Sequence, residues 1–360
     1  MALRKLQFRP GINRDITDYS QEGGWFACNK VRFLRGYPKK IGGWTKYTTS
    51  KFLGICRSLF AFSGIEGAKY LAMGTSKKVY VNQGGTNFDV TAVRASSGAG
   101  GVTFAASNGS STITATDANH GANAGDFVTI SGAASLGGLI VASVLNQEYE
   151  IITKPDNNSF TFTAKDTSGN TVTANASDSG NGGGSSNAAY QTSIGNETGA
   201  IGLGWGAGTW NTAGATVTNP DGTTRAGGWN DPRSGPGIFQ PMRLVYFTRF
   251  QDDLLYNIRF GDIFRWVFQN APTARSAKIS DSPSSGTEVP TEVTQVLIAQ
   301  DNVSNIIIAL GCTPFPASSA LDRDPLLIRF SDVTDPFNFT PSDLTTAGSL
   351  TVQNGSQILR

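Results

Sequence analysis

The residues able to do chemistry in this 360-residue chain are few and far apart. The one histidine, His120, sits in Asn119-His-Gly121. A zinc site needs further His, Cys or carboxylate ligands at close spacing, and none stands near it. A general base needs a partner to orient it and pass on its proton, and no partner is identifiable. His120 is therefore read as structural. Cys28, Cys56 and Cys312 form neither a CxxC pair nor a disulfide framework, and are expected to be reduced and at least partly buried. No GxSxG elbow is present, and Gly98-Ala-Gly-Gly101 lacks the Lys-Ser/Thr of a phosphate-binding loop.

Three carboxylate pairs stand out: Asp252-Asp253, Asp322/Asp324 and Asp332/Asp335. A glycosidase holds two carboxylates across a sugar at roughly 5–9 Å. These pairs lie beside Gly, Pro and Asn, where Asp caps turn amides, and none has the DxDxDG spacing of a calcium loop. Turn capping is the expected use. Trp205, Trp210 and Trp229 are interleaved with Gly and Asn. Such rings stack on sugars or bury in an interface, and interface packing is the expected role, shared with Trp25 and Trp44. No metal, cofactor or catalytic residue is expected, and the chain is not read as an enzyme.

Charge is unevenly spread. Up to residue 60 there are twelve basic residues against Asp15, Asp18 and Glu22, a balance of +9, which leaves −7 for the rest of a chain whose net charge is +2. A basic segment can face a polyanion such as DNA. It can equally be a solvated surface or pair with an acidic neighbouring subunit.

The elements that must position these residues are short. Charged residues make up 16 % of the chain, below the roughly 25 % of an average soluble protein, which disfavours long charged helix faces. Gly, Ser, Thr and Asn supply dense turn signals. Residues 1–90 hold turns at Pro10-Gly11, Gly23-Gly24, Gly36-Tyr-Pro38 and Gly42-Gly43, and a hairpin over 70–81. Residues 91–180 hold strands Ser111–Thr116, Phe127–Ser131, Glu148–Thr153 and Ser159–Ala164, an inserted β-sandwich-like domain. Residues 181–236 are a Gly/Trp-rich loop or extension. Residues 237–360 return to apolar strands: Met242–Phe250, Asp253–Arg259, Asp262–Phe268, Val293–Gln300, Ile306–Leu310 and Leu326–Phe330. The fold class is all-β, an irregular propeller-like body with an inserted sandwich; the strands are too few for a closed regular propeller, so either the ring is irregular or the natural chain continues. No apolar run reaches the roughly 20 residues that span a bilayer, and the N-terminus has no apolar secretion segment.

Several strings resemble virion proteins. Arg9-Pro-Gly-Ile-Asn-Arg-Asp15 looks like the opening of tail proteins of short-tailed bacteriophages. Trp25-Phe26, Asn29-Lys-Val-Arg-Phe33 and Gly36-Tyr-Pro-Lys-Lys-Ile-Gly-Gly-Trp44 are similar to the run that follows it in those proteins. Ile328-Arg-Phe-Ser-Asp-Val-Thr-Asp-Pro-Phe-Asn-Phe-Thr-Pro341 resembles a later stretch, with Phe330 and Phe339 where Trp is common. Residues 112–163 resemble a small β-sandwich inserted in phage tail proteins. The family is the tail nozzle or hub, also called the packaged-DNA stabilisation protein. The resemblance implies a ring, six copies strong, below the head-to-tail adaptor. It also implies contact with tail fibres or spikes, and a channel that retains double-stranded DNA and conducts it during ejection. The protein would be made in the host cytoplasm and end in the virion. On that reading Arg32, Arg35, Lys39 and Lys40 face the DNA channel or dock the adaptor, with Lys39 and Lys40 favoured by the turn at Pro38. The competing reading is a tail fibre or adhesin that binds glycans or a receptor.

Overall fold

The computed structural model describes residues 9–15, 17, 19–20, 23–43, 45–64, 67–182, 184–194, 216–218, 224–226, 244–281, 288–300, 305–316, 323–355 and 358. Trp44, Trp205, Trp210, Trp229 and Asp322 lie outside the described residues.

The chain divides into two compact units, 1–49 and 50–360. The first holds one antiparallel hairpin, β1 (Val31–Leu34) with β2 (Tyr37–Lys40). The second is built from sheets. A four-stranded meander comprises β3 (Cys56–Ser63), β4 (Lys69–Thr75), β5 (Val79–Gln83) and β6 (Thr86–Asp89). Next come β7 (Val93–Ser96), β8 (Thr103–Ala106), β9 (Thr112–Thr116) and β10 (Phe127–Ser131). The short helix α1 (Ala142–Leu145) precedes β11 (Glu148–Glu150), β12 (Ser159–Thr163), β13 (Asp178–Asn181) and β14 (Asn187–Gln191). These strands form two sheets, ordered β11-β10-β14-β7 and β12-β9-β8-β13. β15 (Thr216–Thr218) pairs with β16 (Thr224–Ala226). A second meander is β17 (Val245–Phe250), β18 (Asp253–Ile258), β19 (Ile263–Trp266) and β20 (Ala277–Lys278). A third is β21 (Gln295–Gln300), β22 (Asn305–Leu310), β23 (Leu327–Phe330) and β24 (Gly348–Thr351). The fold is nearly all β, as the turn density and period-two strands predict.

The three meanders are blade-like and stack face to face. Alternation along each strand sends one row to each side. β18 is buried at all six positions because both its faces are covered. Leu254, Tyr256 and Ile258 join Phe62, Tyr70, Ala72 and Val81 of the first blade in one core. Leu255 points the other way and joins Val296, Ile307, Ala309 and Leu327 of the third. The first contact includes Tyr70 edge-on to Trp266, ring centres 5.9 Å apart. It also requires glycine at 74, where an added Cβ would lie 2.6 Å from the Val245 Cβ. Asn257 ties the second junction: its side chain donates to the Val293 carbonyl at 2.9 Å and accepts from the Val296 amide at 2.9 Å.

The sandwich has its own core. Ile113 and Ala115, Phe160 and Phe162, and Ala188 and Tyr190 are the inward rows of β9, β12 and β14. Each buried Phe contributes about 1.5–3 kcal/mol. Strand pairing carries this sheet to Gln191 rather than to 180, because β14 pairs with both β10 and β7. Asn187-Ala-Ala-Tyr-Gln191 is too small and polar to stand out from the Gly/Ser run before it. Two other readings change. The strand at 148 ends at Glu150, with Ile152 exposed, and the strand at 293 begins at Gln295.

Chain entry and exit of the sandwich are side by side: Gln191 opposes Val93, and the Thr192 amide donates to the Ala92 carbonyl at 2.8 Å. Excising 93–191 and bridging Ala92 to Thr192 with two glycines is expected to leave the blades folded. A far-UV spectrum and amide protection at Tyr70–Val81 retained after excision would show this. Loss of that protection would make the sandwich integral to the body.

Candidate functional site

The basic residues singled out in the sequence converge on the first hairpin. Its two-residue turn, Arg35-Gly36, has positive φ at both positions (51° and 85°), the backbone of a tight hairpin whose twist matches its strands. That turn sets the register: Arg32 faces Lys39, Leu34 faces Tyr37, and Val31 faces Lys40. Directly opposed residues share a face, so Arg32, Leu34, Tyr37 and Lys39 form one surface. Val31, Phe33, Pro38 and Lys40 form the other. Lys39 and Lys40 thus point to opposite sides, against the expectation that they act together. The Val31/Phe33/Pro38 side is half-buried, and Trp25 packs edge-to-face on Phe33 at 6.2 Å. Trp25 is thus packed on the hairpin and half-buried there.

The other surface is exposed, Tyr37 to 74 % and Leu34 to 47 %. Arg32, Arg35, Lys39 and Lys40 are all exposed, and among the described residues none of them has an ion-pair partner. Like charges directly opposed across a ladder are destabilising. Within the described part of 1–49, Asp15 is the sole carboxylate against eight basic residues. Chemically, this face offers cations, a phenol ring and an aliphatic side chain to a polyanion.

A second cluster, which sequence reasoning missed, joins the first blade, the sandwich and the second blade. Lys78 is 2 % exposed. Its ammonium contacts Asp89 at 2.6 Å and Glu148 of β11, and lies 4.4 Å from the centre of the Phe127 ring. Arg275 reaches the same two carboxylates, Asp89 at 2.6 Å and Glu148 at 3.1 Å. The Gln191 amide also donates to Glu148. Ser276 adds backbone ties to Val90, its amide at 3.0 Å and its hydroxyl at 2.7 Å. Burial alone would raise the Asp89 pKa. The charges of Lys78 and Arg275, with hydrogen bonds from Lys78 and Thr91, outweigh it and hold that carboxyl below its usual range. Burial, reinforced by the Asp89 and Glu148 charges, pushes the neighbouring Tyr80 phenol up to about 12. Two cations bridging two anions are fully paired, which suits a clamp and leaves no charge for a substrate.

The remaining candidates are structural. His120 is buried; its Nδ1 accepts the Ala122 amide at 3.1 Å, so Nε2 carries the proton toward the Ser159 carbonyl at 3.3 Å. It stacks on Tyr190, whose hydroxyl donates to Asp117 at 2.5 Å. Asp252 pairs with Arg249 at 3.0 Å, whereas Asp253 accepts the Phe268 amide at 2.8 Å and pairs with Arg265. Asp324 caps the Leu326 amide at 2.9 Å. Asp332 accepts from Thr334, from the Thr346 hydroxyl and amide and from the Asp335 amide, and these bonds hold it far below the usual carboxylate range. Asp335 caps the Phe337 amide at 3.1 Å. Among the described residues there is no group of three or more His, Cys, Asp or Glu able to hold a metal ion, and no helix is long and apolar enough to cross a membrane.

Cys312 is buried, and burial pushes its thiol up to about 12. Cys28 and Cys56 are half-buried. In the native protein at pH 8 a thiol reagent is expected to leave Cys312 unmodified until denaturant opens the third blade. Labelling of Cys312 without unfolding, seen by peptide mass mapping, would contradict this packing.

No family model matches the sequence, and no curated protein matches it. Among solved structures, the Phage phi92 endosialidase is similar over 89 % of this chain and 41 % of that chain, at 14 % identity and a TM-score of 0.24. This chain thus spans less than half of that one. A TM-score of that size transfers no functional property.

Proposed function

We propose that this chain is a structural, non-catalytic component of a bacteriophage tail. Its blades belong to a propeller-like ring around the axial DNA path, below the head-to-tail adaptor. The exposed Arg32/Lys39 face meets DNA or an acidic adaptor surface. The observation that carries the proposal is that opposed pair of like charges, with no carboxylate partner among the described residues. It weakens the hairpin locally and becomes favourable when a polyanion lies across it. The virion-type strings at 9–44 and 328–341 support the phage assignment.

The test is direct titration of the protein with duplex DNA at several salt concentrations. A steep loss of affinity with salt, scaling with the number of phosphates neutralised, supports the DNA role. Binding only to purified adaptor supports docking. Binding to neither removes the proposal.

A second reading, a fibre- or adhesin-type protein that binds surface glycans or a receptor, is favoured by the connection between β10 and α1. There Leu139 is 55 % and Val141 40 % exposed. A glycan array with the intact protein separates the two readings. Saturable glycan binding that is lost on excising 93–191 supports the second.

A further inference from the structure

At the junction of the second and third blades, two arginines meet on one aromatic ring. The turn from β18 to β19 runs Arg259-Phe260-Gly261-Asp262, and Phe260 has a φ of 62°, a conformation that bulky side chains rarely adopt. The third blade holds this turn in place. The Phe260 amide donates to the Val293 carbonyl at 2.8 Å, and the Val293 amide donates to the Gly261 carbonyl at 3.0 Å. The guanidinium carbon of Arg259 then lies 4.9 Å from the Phe260 ring centre, and that of Arg323 lies 4.2 Å from it. Arg323 is positioned by a buried hydroxyl. Its Nη1 donates to the Thr294 hydroxyl at 3.1 Å, which donates in turn to the Gly311 carbonyl at 3.0 Å. Glycine is required at 311, where φ is 53° and an added Cβ would lie 2.6 Å from the Thr294 hydroxyl oxygen.

Two like charges on one ring repel, and the ring quadrupole offsets only part of that. Among the described residues neither arginine has an ion-pair partner. The carboxylates on the adjoining segments are turned elsewhere. Asp262 pairs with Lys278 at 2.7 Å, Asp324 caps the Leu326 amide at 2.9 Å, and Glu292 is exposed. The Arg259 Nε is buried from solvent and has no hydrogen-bond partner among the described residues. A buried charged N–H without an acceptor is costly, so an acceptor is expected there.

We infer that Arg259 and Arg323 together bind one doubly charged phosphate group, free or as a monoester. The charge count selects this ligand. Two guanidiniums carry two positive charges, and a carboxylate or a phosphodiester returns only one. A phosphomonoester carries about 1.5 to 2 negative charges at pH 7 on one centre. Its several oxygens accept from two planar N–H forks at once, the recognition for which arginine is suited. The site shares no residue with the Arg32/Lys39 hairpin, so it stands or falls apart from the DNA reading.

The experiment is calorimetric titration of the full chain at constant ionic strength with inorganic phosphate, a short phosphoserine peptide and dimethyl phosphate. The wild-type protein is expected to bind phosphate saturably at one site per chain. Dimethyl phosphate, singly charged like a nucleic-acid backbone, should bind at least about tenfold more weakly. Equal binding of the diester overturns the assignment. Phosphoserine peptide bound as well as phosphate identifies a phosphorylated chain as the source, and phosphate bound alone identifies the free ion. These comparisons use the wild-type protein, so they stand even if a variant misfolds. Arg259→Met and Arg323→Met keep the aliphatic stems and should each weaken phosphate binding at least about tenfold, with Arg323→Lys losing less. Arg32→Glu with Lys39→Glu should leave phosphate binding unchanged; its loss in that protein would place the ion on the hairpin and sink the inference. Absence of saturable binding to the wild-type protein overturns it. So does binding that appears only in Asp322→Asn, since the pair would then be closed by its own chain.

Discussion

Replacing Lys78 with Met is expected to loosen the junction between the first blade, the sandwich and the second blade by about 2–3 kcal/mol. The substitution keeps the aliphatic stem and removes the fully enclosed cation of this cluster. Asp89 and Glu148 then share Arg275 alone. Breaking a buried pair by deleting one partner costs about 3–5 kcal/mol, and solvent around the partly exposed carboxylates screens part of that. The loss should be local, seen as faster amide exchange at Val79, Thr91 and Thr192. Adding Glu148→Gln restores charge balance and should recover most of it. The pH dependence follows from Asp89. Its pKa is lower folded than unfolded, so the junction is strengthened above the ordinary carboxylate range of about 4, and that gain is lost as pH falls through the folded value. Exchange at the junction should rise below about pH 4 in the wild-type protein, and the acid-dependent part should shrink in Lys78→Met. Unchanged exchange in that variant would mean the cluster is not the clamp.

Lys39→Glu is expected to move stability and polyanion binding in opposite directions. It places a carboxylate opposite Arg32, and an opposite-charge cross-strand pair contributes about 0.2–1 kcal/mol. The hairpin should therefore be better protected against exchange. Duplex DNA binding should weaken at every salt concentration. Arg32→Glu with Lys39→Glu removes two phosphate contacts and should lower the log–log salt slope by about 2. Lys40→Glu changes the other face and should have the smaller effect on binding. In assembled particles, DNA leakage with normal assembly points to channel contact, and failed assembly points to the adaptor. Binding unchanged in the double variant would reduce these charges to a solvated surface.

Much of the architecture can be read from residue types. Alternation in Ser159–Thr163 marks a half-buried strand, and Phe160 and Phe162 are inward. Leu254-Leu255-Tyr256 breaks alternation because β18 is covered on both faces, the pattern of a central layer. Strands β8 and β14 carry little hydrophobic signature because Ala, Thr and Asn fill most of their positions, and β7, Val-Arg-Ala-Ser, is short and mostly exposed. The basic bias was plain, but the face it forms depends on register. Arg35-Gly36 between apolar residues is a two-residue hairpin signal that could have paired Arg32 with Lys39 in advance. The junction cluster had no sequence signal at all. Arg275 is 127 positions from Glu148, and only the fold brings them together.

The most direct test of the central claim is where the protein sits in a particle. Electron microscopy of virions carrying an affinity-labelled copy should place the label on the tail axis, repeated around a ring beneath the adaptor. Label confined to peripheral fibres would contradict the axial role, and virions without the label would contradict a tail component altogether.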